Sequence, residues 1–425
     1  MNGHSRMWRG AAATAAVLAA VTGAAAVDGR VRAQAADGGR PAAAEQGLRI
    51  TRFLGERRLP HMAKFRGTTV GGLSGIDRDP RTGTWYLVSD DRWRYDPARF
   101  YTGRLAIDPA TGAFTGVRIT GVSTLRGPDG RPYPAFGKPG SVDPETIRFD
   151  PRSRRVLWGN EGDRPDEAHQ GIPLAPMSLR WAREDGRYAG ALPLPPSLRL
   201  TAEHRGPRRN AGFEALTFTP HGVAAMAEGP RYEDGEPPTV RHGAMSRLTL
   251  WDRAGRVAGQ YAYPVDPLPA APKPPTGAAD SGVSEILAAG GDRFLALERS
   301  WLEGVGYKVR LYEFDVRGAT DVLRRDRLTQ GGRFRPARKR LVADLGRYAA
   351  PAQNLEALAW GPRLKTGECT LVVGSDDNFD QREVTQFLAF AVRGWQALAG
   401  RVRRRGRGVG EHGRPPRRAA RPRPP

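Results

Sequence analysis

The sequence predicts an all-β protein, a β-propeller of five four-stranded blades closed by an N-terminal strand. Three observations predict it. One motif recurs five times at spacings of 71, 69, 71 and 71 residues. Each copy reads as short alternating strands joined by tight turns. The 425 residues include 53 Gly, 36 Pro and 9 Trp, which suits a chain of many turns and sits poorly with a helical bundle.

The five copies are GGLSGIDRDPRTGTWYLVSDDR from Gly71, VDPETIRFDPRSRRVLWGNEGD from Val142, AGFEALTFTPHGVAAMAEGP from Ala211, SGVSEILAAGGDRFLALERS from Ser281 and QNLEALAWGPRLKTGECTLVVGSDDN from Gln353. Their alignment places Ser74, Glu145, Glu214, Glu285 and Glu356 in one register. In each copy a first short strand (146–149, 357–360) leads through Asp-Pro, Gly-Pro or Gly-Gly into a more apolar second strand (85–88, 156–158, 223–226, 294–297, 370–373). A third strand follows after a loop, and in the first three copies DPATG, REDG or DRAG turns into a fourth. Four antiparallel strands repeated about an axis make a propeller blade. The repeat is longer than the ~40–45 residues of the commonest propeller unit, so its loops are long. The fifth copy ends after three strands, near Val392. Residues 48–54 (LRITRFL) are expected to supply the fourth and so remove the exposed sheet edges. The domain is therefore placed at residues 47–394.

In a propeller the first strand of each blade lines the central channel. The start of strand one and the end of strand two share one face with the long loops 90–99, 160–176, 229–243, 125–142, 197–210 and 266–281. Long loops on a rigid scaffold are where function concentrates. The Pro-rich loop 266–281 reads as a lid or a linker.

On that face the sequence gathers acids. To the first register it adds Asp90, Glu161, Glu228, Glu298 and Asp376 at the end of strand two, with Asp91, Asp163 and Asp377 beside them. Nine of the ten registered positions are carboxylates in a chain of net charge +22. Converging carboxylates repel, so some stay protonated or a cation sits among them. Oxygen ligands without Cys and with little His select a hard cation, Ca²⁺ or also Mg²⁺, and flexible loop coordination favours Ca²⁺. The competing reading is bracing between blades by Arg92, Arg231 and Arg299. Next to a metal-bound carboxylate the same arginines would clamp a phosphate or carboxylate. A Lewis acid with an activated water then needs no Ser or Cys nucleophile, and one ring acid serves as general base. Glu214, Glu285 and Glu356, with Arg92 and Arg299 orienting the anion, are the expected catalytic set.

Other chemistry is excluded. One cysteine, Cys369, rules out a disulfide framework and a Cys-based zinc site. There is no HExxH and no GxxxxGK[ST]. GLSGI at 72–76 lacks the second glycine of a nucleophile elbow, so Ser74 reads as a hydroxyl in the ring. His169 and His242 fall in loops on the functional face, with exposed loop histidine as the default. The charge is no nucleic-acid signature, because Arg outnumbers Lys 61 to 6 and the last 25 residues hold ten Arg and one acid. Residues 395–425 read as a disordered basic tail that could touch anionic surfaces. Residues 1–35 read as a secretory signal: Arg6 and Arg9, an apolar stretch at 11–26, then A-x-A sites ending at Ala26 and Ala35. That stretch is too short for a ~20-residue span. An exported monomer is expected.

The strings GLSGIDRDP…WYLVSDD, DPETIRFDP…WGNEGD, GFEALTFTP and NLEALAW…LVVGSDDN resemble the bacterial phytase-like family, described as having esterase-like activity of phytase. The resemblance spans about residues 48–393. It implies a propeller, secretion and phosphoester hydrolysis. Calcium-dependent propeller phytases have a carboxylate-rich channel mouth, and Glu145, Glu161, Glu214, Glu228, Glu285, Glu298 and Glu356 match that idea in kind. The leading expectation is a secreted Ca²⁺-dependent phosphoesterase acting on a small phosphoester or ester. A calcium-dependent lactonase or carboxylic esterase, and a non-catalytic binding module with a structural ion, are the alternatives.

Overall fold

A computed structural model describes residues 47–166, 169–328 and 333–394. The leader at 1–35 and the tail at 395–425 lie outside the described residues. Five four-stranded antiparallel sheets form the five blades. Blade one is Gly75–Arg78, Trp85–Ser89, Arg99–Ile107 and Phe114–Thr124. Blade two is Pro144–Asp150, Arg155–Asn160, Ser178–Arg183 and Tyr188–Leu192. Phe213–Thr219, Gly222–Ala227, Ala244–Asp252 and Val257–Val265 make blade three. Blade four is Ala279–Gly290, Arg293–Leu302, Gly306–Asp315 and Arg338–Asp344.

Blade five takes Asn354–Trp360, Cys369–Asp376 and Gln386–Arg393 from the C-terminal end and Arg49–Arg58 from the N-terminal end. The closing register runs from Arg49 opposite Arg393 to Arg58 opposite Gln386. The N-terminal strand thus closes the ring as the sequence predicts. It is four residues longer than expected at its far end. The innermost strands contact one another in the order one-two-three-four-five-one, which closes the circle.

Period-two alternation explains the core. Second strands such as Trp85–Ser89 and Cys369–Asp376 are buried on both faces because each blade packs between two others. Apolar clusters fill the spaces between adjacent blades. Ile76, Leu87 and Tyr101 of blade one meet Ala357, Val372 and Ala389 of blade five. Tyr86 stacks on Phe149 of blade two with ring centroids 4.4 Å apart. Cys369 is a partly buried packing residue. No helix among the described residues is long and apolar enough to cross a membrane.

A candidate metal centre at the channel mouth

The ring acids owe their position to a bulge. In blade two Pro144 pairs with Asn160 and Thr146 with Gly159, so Glu145 has no partner in the ladder. Glu214 and Glu356 are skipped in the same way in blades three and five. A skipped residue leaves the ladder and its side chain is re-aimed, here into a cavity of about 700 Å³ at the channel mouth.

Blade four overturns part of the sequence register. Val283 pairs with Glu298 and Glu285 with Leu297, so the bulged residue is Ser284. A one-residue slip sends every side chain to the opposite face. The ring is therefore Ser74, Glu145, Glu214, Ser284 and Glu356. The second ring is Asp90, Glu161, Glu228, Arg299 and Asp376, each two residues beyond the strand-two partner of the residue that follows the first-ring position. Glu285 and Glu298 lie outside both.

Glu285 sits deeper in the channel and is fully buried. It meets Arg148 at 2.9 Å and accepts hydrogen bonds from Thr146 Oγ1 and the Leu216 and Ile286 N–H groups, each at 2.9 Å. Arg148 also donates to the Ile76 and Ile286 carbonyls. This pair ties blades one to four together beneath the cavity. Burial lifts the Glu285 carboxyl to about 7 against the pull of Arg148. Glu298 accepts from Tyr263 Oη at 2.8 Å and from the Asp266 N–H at 3.1 Å, and it pairs with Lys339. Neither acid is free to act at the mouth.

The acids at the mouth form two triads. Ligand oxygens of Asp143, Glu145 and Glu161 lie within 4.8 Å of one another, as do those of Glu161, Glu214 and Glu228. Glu161 belongs to both. Asp90, Glu356 and Asp376 also line the cavity. Burial raises the carboxyls of Asp90, Asp143, Glu145, Glu161, Glu214, Glu228, Glu356 and Asp376, and for most of them neighbouring carboxylates push further the same way. Glu161 reaches about 8.

The residues fit a hard cation. Their donors are all oxygen, and the buried Oδ1 atoms of Asp90, Asp143 and Asn354 have no hydrogen-bond partner. Such orphaned acceptors are costly unless something occupies the space before them. Asp143 and Asn354 are absent from the sequence-predicted set. They stand two residues before Glu145 and Glu356, on the same face by strand alternation. At that position the other blades carry Gly72, Gly212 and Gly282. A Cβ on Gly212 would lie 2.7 Å from Glu161 Cγ, so the glycine makes room for the carboxylate of the preceding blade.

Two expected ligands, Asp91 and Asp377, and the neighbouring acid Asp163 hold the scaffold instead. Asp91 is buried, pairs with Arg99 at 2.8 Å, and accepts from the N–H groups of Arg94, Tyr95 and Asp96. Asp377 Oδ1 accepts from the Gly72 and Phe379 N–H groups. Asp163 is bound by Arg92 and by Arg209 at 2.9 Å. The arginines expected to clamp an anion are likewise engaged. Arg92 joins Asp143, at 3.1 Å, to Asp163. Arg299 meets Glu228 at 2.6 Å, Asp280 at 3.2 Å and Glu356 at 3.4 Å. Arg231 pairs with Asp234, outside the cavity lining. Ser74 Oγ donates to the Gly72 carbonyl at 3.5 Å. His169 binds Asp166, and neither it nor His242 lines this cavity.

No curated protein matches the chain in sequence. Among solved structures it is similar to an exo-β-1,3-galactanase from Phanerochaete chrysosporium at 8 % identity and a TM-score of 0.39, over 81 % of this chain and 64 % of that one. A GH43 β-1,3-galactosidase aligns at 7 % identity and 0.40, over 79 % of this chain and 94 % of that one. The PQQ domain of a pyranose dehydrogenase from Coprinopsis cinerea aligns at 11 % and 0.34, over 81 % of this chain and 97 % of that one. These are remote likenesses that decide neither substrate nor chemistry. The family described as "Phytase-like: Esterase-like activity of phytase" matches residues 68–379, a span that carries blades one to four, the two inner strands of blade five and every acid of the mouth. The chain belongs to the phytase-like family.

Proposed function

We propose that this protein is an exported, Ca²⁺-dependent phosphoesterase working at the channel mouth. The observation that carries the reading is the pair of carboxylate triads joined through Glu161, with orphaned oxygens of Asp90, Asp143 and Asn354 facing the same space. Membership of a family described by phytase and esterase activity supports it.

Asp143, Glu145, Glu161, Glu214 and Glu228 would hold the cation. When bound, a hard divalent cation supplies Lewis acidity towards a phosphoryl oxygen. Glu356 lies outside both triads and next to Arg299. It is the acid assigned to take the proton of the attacking water. Arg299, held by three carboxylates, keeps the ring's charge balanced and its acids in place. Arg92 positions Asp143.

Titration of Ca²⁺ into chelator-treated protein, followed by phosphomonoester assays, tests the reading. Glu161→Gln removes an oxygen ligand from both triads at once, and is expected to abolish measurable Ca²⁺ binding and Ca²⁺-dependent turnover together. Wild-type Ca²⁺ affinity in that variant would sink the metal assignment. Tight Ca²⁺ binding with no turnover on any phosphoester or lactone would leave a binding module with a structural ion.

A further inference from the structure

The cavity has a floor and a rim of different chemistry. The floor is acidic. The rim is aromatic: Trp93, Phe136 and Trp301 line it, and Trp93 and Phe136 remain 38 % and 44 % exposed.

The fold fixes the backbone that carries Trp93 and Phe136 and leaves their rings exposed. Trp93 has φ 63°, a left-handed conformation that a bulky residue adopts only where its surroundings impose it. Asp91 imposes it. Its buried carboxylate gathers the N–H groups of Arg94 at 2.7 Å, Tyr95 at 3.1 Å and Asp96 at 2.8 Å, and Arg99 anchors it. Phe136 is fixed by its N–H on the Arg92 carbonyl at 2.9 Å. The Arg92 guanidinium covers the ring at 4.1 Å from its centroid. Exposed apolar rings carried on a fixed backbone at a concave site mark a ligand contact.

The rim is poor in available cations. Arg92 and Arg299 are committed to carboxylates. Of the arginines lining the cavity, Arg94 is the one with no carboxylate partner among the described residues. A substrate carrying anions all round would find few partners here. A substrate with one anionic head and a flat apolar ring matches both halves of the cavity.

We infer that the site takes monoesters whose alcohol is a flat ring, as in an aryl phosphate, with the head on the acidic floor and the ring against Trp93 and Phe136. This rests on the phosphoester reading above. It makes Trp93 and Phe136 specificity residues.

Calorimetric titration at saturating Ca²⁺ compares phenylphosphonate with methylphosphonate, neither of which is hydrolysed. The expected result is phenylphosphonate binding about tenfold tighter, the scale of one or two aromatic contacts. That ratio should collapse towards one in W93A/F136A while methylphosphonate affinity is kept. Equal affinities in the wild type, or an unchanged ratio in the variant, overturn the inference and leave the phosphoester reading standing. Tighter binding of the polar, equally unhydrolysed hydroxymethylphosphonate than of phenylphosphonate also overturns it. Failure of every ligand to bind removes the phosphoester reading and the inference with it. If W93A/F136A loses its Ca²⁺-dependent melt, F136A alone is decisive, because Phe136 lies outside the turn that Asp91 organises, and an unchanged ratio there overturns the inference.

Discussion

Chelated protein should lose stability as pH rises from 5 to 8, and Ca²⁺ should reverse the trend. The ring acids are held above their ordinary range in the folded chain, and Glu161 moves from 4.5 to about 8. Between those values the folded state binds more protons than the unfolded one. Stability is therefore fully present below pH 4.5 and is lost as pH climbs through 8. For Glu161 alone the loss is on the order of 5 kcal/mol. For a domain of this length, at about 2.1 cal/mol/K per residue, that lowers Tm by roughly 5–10 °C. Bound Ca²⁺ needs ionised ligands, so in its presence stability should rise over the same window. Circular-dichroism melts at pH 5, 6, 7 and 8, in EDTA and in excess Ca²⁺, read both arms. Glu161→Gln in EDTA should be more stable than the wild type at pH 8. A chelated wild type as stable at pH 8 as at pH 5 would refute the reasoning, since the arginines would then neutralise the ring without a metal.

Glu285→Gln breaks the buried pair with Arg148 and should cost about 3–5 kcal/mol in urea unfolding; Ca²⁺ affinity, measured by titration, should be unchanged. Arg299→Met leaves Glu228 and Glu356 without their cation. It should destabilise chelated protein by a similar ~3–5 kcal/mol, with much of the loss recovered in Ca²⁺ melts. Gly282→Ala brings a Cβ to 2.7 Å from the Glu228 backbone oxygen. It should cost about 1–3 kcal/mol and weaken Ca²⁺ binding, because Glu228 must shift.

Repetition made the fold legible. Five copies of one pattern average out the ambiguity of any single strand, so blade number, strand order and the closing N-terminal strand could all be read. Glu145, Glu161, Glu214, Glu228, Glu356, Asp90 and Asp376 were legible for the same reason. Blade four was not, because Ser284-Glu285 and Glu298-Arg299 each offer two adjacent polar residues, and alignment by residue type chooses the acid. Only bulge geometry chooses between them. Gly282 carries the missing signal: it matches Gly72 and Gly212, and counting two residues on from each glycine reaches Ser74, Glu214 and Ser284. Asp91 and Asp377 were misjudged because sequence cannot tell a carboxylate facing a cavity from one that caps a turn.

The closing strand has a consequence for how the chain comes to be folded. Thr51 hydrogen-bonds to the Ala391 carbonyl across 340 residues of sequence, so the first strand made waits for the last. Until Gln386–Arg393 emerges, blade five lacks two of its four strands. Contacts so distant in sequence make folding slow and late. Gly47 and Gly394 nevertheless end side by side, with the position of a Gly394 Cβ only 2.6 Å from the Gly47 carbonyl oxygen. A circular permutant joined there and opened in an exposed loop elsewhere would turn the most remote pairing in the molecule into a local hairpin.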